Sequence, residues 1–251
     1  MQSWLARRAP DPPCYPPLPA GRVIYAVGDL HGRADLLDRV HAAIDRRQAG
    51  RDETVREIYL GDYVDRGPDS AGVVERLIAR AADHHLVALR GNHEEMFEEF
   101  LAGRIDVADW RRVGGLETLA SYGVDVAALA RAGAPSMMWS RAAERRVPDR
   151  HRAFLAALRD HWRDPAGWFF AHAGVRPGVA LDAQAPDDLL WIRAPFLTDE
   201  RDFGAVVVHG HTPMGQPEFR PNRINLDTGA YLTDQLTCLR IDHDGATCLE
   251  H

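Results

Sequence analysis

The chain has 251 residues, of which 45% are hydrophobic and 27% are charged, a balance that excludes wholesale disorder. Its formal net charge of −7 argues against a broad basic face for nucleic acid. Three widely spaced cysteines exclude a disulfide framework and a zinc finger. We find no apolar run long enough to span a membrane and no apolar leader, so we expect a cytoplasmic protein.

The N-terminal region differs in composition from the rest of the chain. Six of the ten residues from 10 to 19 are proline, which excludes a helix or a central strand there. We interpret residues 1–20 as an extended proline-rich arm, either a free tail or one tethered to the domain. Residues 21–251 are predicted to form a single domain.

Strand and helix patterns alternate three times after the arm. Short β-branched runs predict strands, and apolar residues at helical spacing predict helices between them. This alternation indicates βαβ units and a largely parallel start to the sheet. The predicted strands are residues 23–27, 57–60 and 85–89, and the predicted helices are residues 34–49, 70–82 and 94–101.

The middle of the chain breaks this rhythm. Residues 103–165 are predicted to be a helical insertion, and strand patterns return after it without long helices between them. The fold class is therefore α/β, as one domain with a helical insertion. Predicted helices in the insertion are residues 110–122, 124–132 and 148–162, and the later predicted strands are residues 168–171, 205–208, 223–226, 235–241 and 246–249.

Polar residues gather directly after five of the predicted strands. Loops that follow neighbouring strands converge at the carboxyl edge of an open α/β sheet, where ligands bind. We therefore expect these five segments to meet in one place. They are Gly28-Asp29-Leu30-His31-Gly32, Gly61-Asp62-Tyr63-Val64-Asp65-Arg66-Gly67, Arg90-Gly91-Asn92-His93-Glu94, His172-Ala173-Gly174 and His209-Gly210-His211-Thr212.

The residue types in these segments are those of a metal site. Asp29 and His31 stand two apart and can chelate one ion, and the second oxygen of Asp62 can bridge to another. Carboxylate and imidazole without thiolate suit Mn, Fe, Zn or Co. Each motif alone is usually a turn or a helix start, but five in order after strands indicate a site. The predicted ligands of the second ion, besides Asp62, are Asn92, His172 and His211.

These motifs resemble those of the calcineurin-like metallophosphoesterases, and within them the phosphoprotein phosphatases. The resemblance spans about residues 22–240, and Asn225-Leu226-Asp227-Thr228-Gly229-Ala230 is similar to the bacterial and phage branch. It implies a central β-sandwich flanked by helices, in a four-layer α/β/β/α arrangement. It also implies a dimetal centre, with Mn as the first expectation, ligated by Asp29, His31, Asp62, Asn92, His172 and His211.

The resemblance also implies roles for four further residues. Asp65 would orient His93, which would donate a proton to the leaving oxygen after attack by a metal-bound hydroxide. Arg66 would hold the substrate phosphate. A second phosphate-binding arginine is expected in the family, and Arg193 is the candidate.

The resemblance favours a phosphomonoester hydrolase of the serine/threonine protein phosphatase type. Hydrolysis of dinucleoside polyphosphates is the alternative, and a non-catalytic binding module is a third interpretation that would require lost ligands. The tetraphosphatases tend to carry a non-acidic residue at the position of Asp65 and Asp at that of Glu94, which favours the phosphatase. We expect a phosphorylated protein or a small phosphoester as partner, with neither nucleic acid nor membrane.

Overall fold

Two five-stranded sheets form the centre of the computed structural model, which describes residues 13–251. Strands β1, β2 and β3 run parallel, as the alternation of strands and helices predicts, and β9 and β10 add antiparallel strands at one edge. In spatial order, the first sheet contains β10 (Gly245–Cys248), β9 (Cys238–Asp242), β1 (Arg22–Val27), β2 (Thr54–Tyr59) and β3 (Leu86–Ala88).

The second sheet is also mixed. Strands β5, β6 and β8 are parallel, and β4 and β7 pair antiparallel at the two edges. Its order is β4 (His161–Asp164), β5 (Trp168–Ala171), β6 (Val206–His209), β8 (Arg223–Asn225) and β7 (Glu218–Phe219).

The alternation of side chains along β1 shows how the layers are built. Ile24 packs into the core between the two sheets, whereas Tyr25 packs into the core beneath the helices. Because successive strand residues face opposite sides, one strand serves both cores. A third core, around Phe169 and Phe196, covers the outer face of the second sheet. The predicted sandwich of two sheets with flanking helices is confirmed.

Ten α-helices accompany the sheets in the described part of the chain. They are α1 (Ala34–Gln48), α2 (Ser70–Asp83), α3 (Asn92–Leu101), α4 (Val107–Trp110), α5 (Gly115–Ser121), α6 (Val126–Arg131), α7 (Ser136–Arg146), α8 (Asp149–Ala156), α9 (Pro186–Trp191) and α10 (Ala230–Thr233). None of the helices within residues 13–251 has the length and apolar character needed to cross a bilayer.

The predicted helix over residues 148–162 is wrong in its last third. The helix ends at Ala156, and His161–Asp164 forms β4 against β5. Trp162 belongs to this strand, where its ring packs near that of Phe170, with centroids 5.6 Å apart. Pairing with β5 therefore overrides the helical pattern, and the helical part of the insertion is shorter than residues 103–165.

The predicted helix over residues 110–122 is broken in the middle. A short 3-10 turn at Arg111–Val113 follows α4, and Gly114 takes the left-handed φ of 98° before α5 begins. A Cβ on Gly115 would come within 2.2 Å of the Trp110 ring, so this glycine allows α5 to lie directly against the indole. The sequence pattern also missed α7, α9, α10 and the short strand β7.

The described end of the N-terminal arm is tethered. Leu18 is buried, and its N–H donates to the Asp242 carbonyl at 2.9 Å. The indole N–H of Trp168 donates to the Pro16 carbonyl at 3.0 Å. This part of the arm contacts strands of both sheets, and residues 1–12 of the predicted arm lie outside the described residues.

Candidate functional site

The five polar segments meet where the carboxyl ends of β1, β2, β3, β5 and β6 come together. Each of the six predicted ligands is buried, with at most 5% of its surface exposed. Short-range backbone contacts join the segments: the His31 N–H donates to the Asp62 carbonyl at 2.7 Å, and the Gly210 N–H donates to the His172 carbonyl at 2.8 Å. The structure thus brings together the residues that the sequence places in separate loops.

Asp62 lies at the centre of this cluster. Its Oδ2 is 3.4 Å from His31 Nε2, and its Oδ1 is 3.3 Å from His172 Nε2. Asp62 belongs to two sets of side chains whose potential ligand atoms lie close together. One set contains His31 and His93, and the other contains His172 and His211. A carboxylate with one oxygen toward each set has the position required of a bridging ligand.

Asn92 lies beside the second set. Its Oδ1 is 2.9 Å from His172 Nε2 and 2.8 Å from His211 Nδ1. The other ring nitrogen of His172 bonds to the Leu60 carbonyl at 2.9 Å and therefore carries the proton. The lone pair of Nε2 then faces the oxygens of Asn92 and Asp62, an arrangement that a cation between them would stabilise.

Several buried polar atoms in the cluster have no partner within the protein. They include Asp29 Oδ1, His31 Nε2 and His211 Nε2, although most buried polar atoms in proteins are hydrogen-bonded. Burial lowers the pKa of His31 to about 3, and it does the same for His211. Both rings are therefore neutral at physiological pH, in the form that ligates metal. The donor set fits a pair of divalent ions.

Backbone strain concentrates in the same loops. A positive φ at a non-glycine residue is uncommon, and such strain typically costs about 1–3 kcal/mol and is retained at functional sites. Five of the six such residues within 13–251 belong to the site: His31 (40°), Asp62 (52°), Asp65 (69°), Arg66 (69°) and His211 (64°).

His93 and Asp65 form a closely held pair. His93 Nδ1 lies 2.7 Å from Asp65 Oδ2, and both side chains are buried. Asp65 Oδ2 also accepts from Trp110 Nε1 at 2.9 Å, and Oδ1 accepts from Thr118 Oγ1 at 2.7 Å. Burial opposes the imidazolium form, but the carboxylates of Asp62 and Asp65 leave the pKa of His93 above its ordinary value. This pair can hold a proton for transfer.

The helical insertion supplies part of this support. Trp110 ends α4, Thr118 lies on α5, and the turn between them brings the Gly114 carbonyl to the backbone N–H of Arg66 at 3.2 Å. The described contacts show that the insertion holds the Asp65–Arg66 segment.

The two predicted phosphate ligands both lie at the site. A terminal nitrogen of Arg66 is 3.1 Å from His93 Nε2, and its guanidinium sits 4.7 Å from the centre of the Tyr231 ring. Arg193 is exposed and donates to the His211 carbonyl in a long contact of 3.4 Å. Arg66 is therefore central, whereas Arg193 lies at the rim.

Two residues of the site were not predicted from the sequence. Asp227 is buried and neighbours Asp29, Asp62 and Arg66, and burial raises its pKa to about 6. Its position directly after a predicted strand could have identified it from the sequence, because the predicted metal ligands also follow predicted strands.

Tyr231 packs edge-on against His31, with ring centroids 5.3 Å apart, and no sequence signal marks it.

Glu94 has a structural task that the sequence does not reveal. Its carboxylate accepts from the backbone N–H groups of Asp62 at 2.8 Å, Tyr63 at 2.7 Å, Val64 at 3.2 Å and Gly91 at 2.9 Å. The distance between these two loops therefore sets the side-chain length that is required at position 94. Glu at this position thus holds two loops together, and its identity is a weaker guide to substrate than the resemblance implies.

A model of the calcineurin-like phosphoesterase family matches residues 22–240. The chain belongs to this family. Metallophosphoesterases use a dimetal centre, and the described cluster offers aspartate and histidine groups that can hold one. The chain is accordingly a hydrolase of the metallophosphoesterase family.

Curated relatives and solved structures are similar to this metallophosphoesterase at low identity. A bis(5'-nucleosyl)-tetraphosphatase PrpE (asymmetrical) from Anoxybacillus flavithermus is 27% identical over 203 residues, covering 72% of this chain and 74% of the relative. A proposed diadenosine tetraphosphatase of known structure has a TM-score of 0.65 at 20% identity, covering 92% and 95%. A serine/threonine phosphatase from Saccharomyces cerevisiae has a TM-score of 0.53 at 15% identity, covering 92% and 80%. At such identities the two structures show the shared fold.

Proposed function

We propose that this metallophosphoesterase hydrolyses phosphomonoesters, with phosphoserine and phosphothreonine in proteins as the first substrate class. The buried His93–Asp65 pair carries this proposal. An alkoxide is a poor leaving group, and its departure benefits most from a positioned proton donor. A site with so firmly held an imidazole is suited to such a substrate.

The roles of the protein groups follow from their positions. Bound metal ions would supply an activated water and neutralise phosphate charge. Asp29, His31, Asp62, Asn92, His172 and His211 would hold them. Arg66 would bind phosphate oxygens with its planar fork, with Arg193 assisting from the rim. With the Arg66 guanidinium drawn from Nε2 to the phosphate, protonated His93 would transfer the proton on Nε2 to the leaving oxygen, while Asp65 keeps the ring oriented through Nδ1.

The local charge favours an anionic substrate despite the net charge of −7. Two divalent ions would outweigh the three neighbouring carboxylates Asp29, Asp62 and Asp227, and Arg66 adds a further cation. Screening limits the repulsion from distant acids to about 8 Å at physiological salt. The electrostatic field of the nearby cations therefore determines whether an anionic substrate binds.

A direct comparison of substrates tests the proposal. The protein loaded with Mn²⁺ is assayed against a phosphoserine peptide, p-nitrophenyl phosphate and diadenosine tetraphosphate at equal concentrations. Release of inorganic phosphate from the peptide with the highest kcat/KM is expected. Activity confined to diadenosine tetraphosphate would overturn the proposal.

Hydrolysis of dinucleoside tetraphosphates is a second candidate, supported by the PrpE relatives and by one feature of the site. Trp191 is 41% exposed, and its ring centroid lies 6.3 Å from that of His211. Its indole N–H donates to Glu95 at 2.7 Å, so an aromatic face is held beside the site. Such a face is suited to stacking on a nucleobase.

Product analysis separates this candidate from the first. Asymmetric cleavage of diadenosine tetraphosphate gives ATP and AMP without inorganic phosphate. Trp191→Ala should then raise KM for the dinucleotide and leave KM for p-nitrophenyl phosphate unchanged, with Trp191→Phe as the ring-retaining control. Equal KM values for wild type and Trp191→Ala would remove the structural support for this candidate.

A further inference from the structure

Tyr231 occupies a position between two parts of the site. The face of its ring lies 4.7 Å from the centre of the Arg66 guanidinium, and its ring packs edge-on against His31. A cation within about 6 Å of a ring centre is attracted by the ring's electrons. Tyr231 thus contacts both the arginine that we assign to phosphate and a proposed metal ligand.

The backbone on the Tyr231 side of this contact is fixed. Helix α10 begins after Gly229, which takes the left-handed φ of 65°. The Arg33 guanidinium donates to the Ala230 carbonyl at 2.8 Å and also pairs with Asp234, the residue that directly follows the helix. The tyrosine is thus presented from a short helix that is held at both ends.

The backbone on the Arg66 side is fixed as well. Arg66 itself has a positive φ of 69°, and its N–H donates to the Gly114 carbonyl at 3.2 Å. A Cβ on Gly114 would lie 2.3 Å from the Arg66 nitrogen, so the two segments pack without spare room. The long arginine side chain is limited by two side-chain contacts, one terminal nitrogen at 3.1 Å from His93 Nε2 and the ring of Tyr231 against its guanidinium.

We propose that Tyr231 is a positioning residue that holds the Arg66 guanidinium for binding the substrate phosphate. This inference rests on the proposed function of Arg66. Contact with the ring face uses the charge of the cation and occupies none of its N–H groups, so those not directed at His93 Nε2 stay available to phosphate oxygens. A pre-oriented guanidinium loses less rotational freedom when phosphate binds.

Three variants of the metal-loaded protein test the proposal through phosphate affinity and kinetics. Tyr231→Leu should weaken binding of inorganic phosphate, measured by calorimetry, by about 3- to 30-fold, the range expected for a lost cation–π contact. KM for p-nitrophenyl phosphate should rise similarly, with a smaller change in kcat. Tyr231→Phe retains the ring and should behave as wild type. Leu232→Ala, an exposed neighbour on the same helix, is the matched control.

A double-mutant cycle with Arg66→Ala decides whether Tyr231 acts through the arginine. In the Arg66→Ala background, Tyr231→Leu should cause no further loss of phosphate affinity. Additive losses would overturn the proposal, because they would mean that Tyr231 acts independently of Arg66. Fewer metal ions in Tyr231→Leu than in wild type would overturn it too, in favour of support for His31.

The outcome is separable from that of the proposed function. If the wild type hydrolyses none of the phosphomonoesters, the proposed function fails. Inorganic phosphate binding, measured without turnover, still reports on the Tyr231–Arg66 contact. Loss of affinity in Tyr231→Phe equal to that in Tyr231→Leu would contradict the ring-face account.

Discussion

The two sides of the candidate site differ in how their polar atoms are partnered. On the proton-donor side, the Asp65 carboxylate accepts from His93, Trp110 and Thr118. On the ligand side, Asp29 Oδ1 and the Nε2 atoms of two histidines have no partner. This difference in hydrogen-bond partners indicates which function each side serves. Groups satisfied by the protein are held in orientation, whereas the buried atoms of this cluster that lack a partner are available to a ligand that the chain does not supply.

The two sides also draw on different parts of the chain. The ligand side comes from loops after strands of both sheets, whereas the proton-donor side depends on the helical insertion through α4 and α5. Substitutions on one side should therefore affect metal binding, and those on the other should affect proton transfer without metal loss. The following predictions test this separation.

The largest effect is expected from Asp62→Asn. This change removes the charge of the carboxylate that lies between the two ligand sets, at 3.4 Å from His31 and 3.3 Å from His172. Metal content and activity should both be lost, as measured by elemental analysis and a phosphatase assay. Chelation of the wild type should likewise abolish activity, and Mn²⁺ should restore it. Two tightly held ions in the variant would contradict the bridging role.

His93→Asn should spare the metals and impair catalysis. General acid catalysis typically contributes about 10²–10⁴-fold, so kcat on a phosphoserine substrate should fall within that range. The loss should be smaller on p-nitrophenyl phosphate, because its leaving group hardly needs a proton. Equal losses on both substrates with unchanged metal content would assign His93 an electrostatic role instead.

Arg66→Ala should weaken phosphate recognition without metal loss. A hydrogen bond to a charged group is typically worth about 1.5–3 kcal/mol, so kcat/KM should fall by about 10- to 150-fold. KM should rise while the metal content measured by elemental analysis stays at the wild-type value. Unchanged kinetics on a small aryl phosphate would mean that Arg66 does not touch the phosphate.

Thr118→Val tests the contribution of the insertion and has the smallest expected effect. It removes the hydroxyl that donates to Asp65 Oδ1 at 2.7 Å while keeping the shape of the side chain. We expect a loss in kcat of about 10-fold or less on phosphoserine, because Thr118 acts on His93 only through Asp65, and that carboxylate keeps its contacts with His93 and Trp110. Thr118→Ser retains the hydroxyl and should stay close to wild type. A loss of metal from Thr118→Val would break the separation of the two sides.

Sequence patterns predicted the strand loops that carry the ligands because local signals define them. The run at β1 is apolar and β-branched, and Asp29 and His31 follow it directly. The same reasoning applies to Asp62 after β2 and His211 after β6. Parallel strands then bring their carboxyl ends together without further information.

The remaining features depend on contacts between distant parts of the chain. Thr118 is 53 residues from the Asp65 that it supports, and Trp110 is 45 residues away, so no local pattern connects them. The strand at His161–Asp164 exists because β5 pairs with it, although its residues continue an apolar helical spacing. Both features depend on tertiary contacts, which sequence periodicity does not report.

Anomalous diffraction from crystals of the Mn²⁺-loaded protein tests the central claim most directly. The account predicts two peaks in the cluster that contains the unpartnered atoms of Asp29, His31 and His211, with Asp62 as a ligand of both ions. Asp65 should contact neither ion, because its oxygens are already held by His93, Trp110 and Thr118. An ion bound by Asp65, or a cluster without any peak at saturating Mn²⁺, would contradict the division of the site into a ligand side and a proton-donor side.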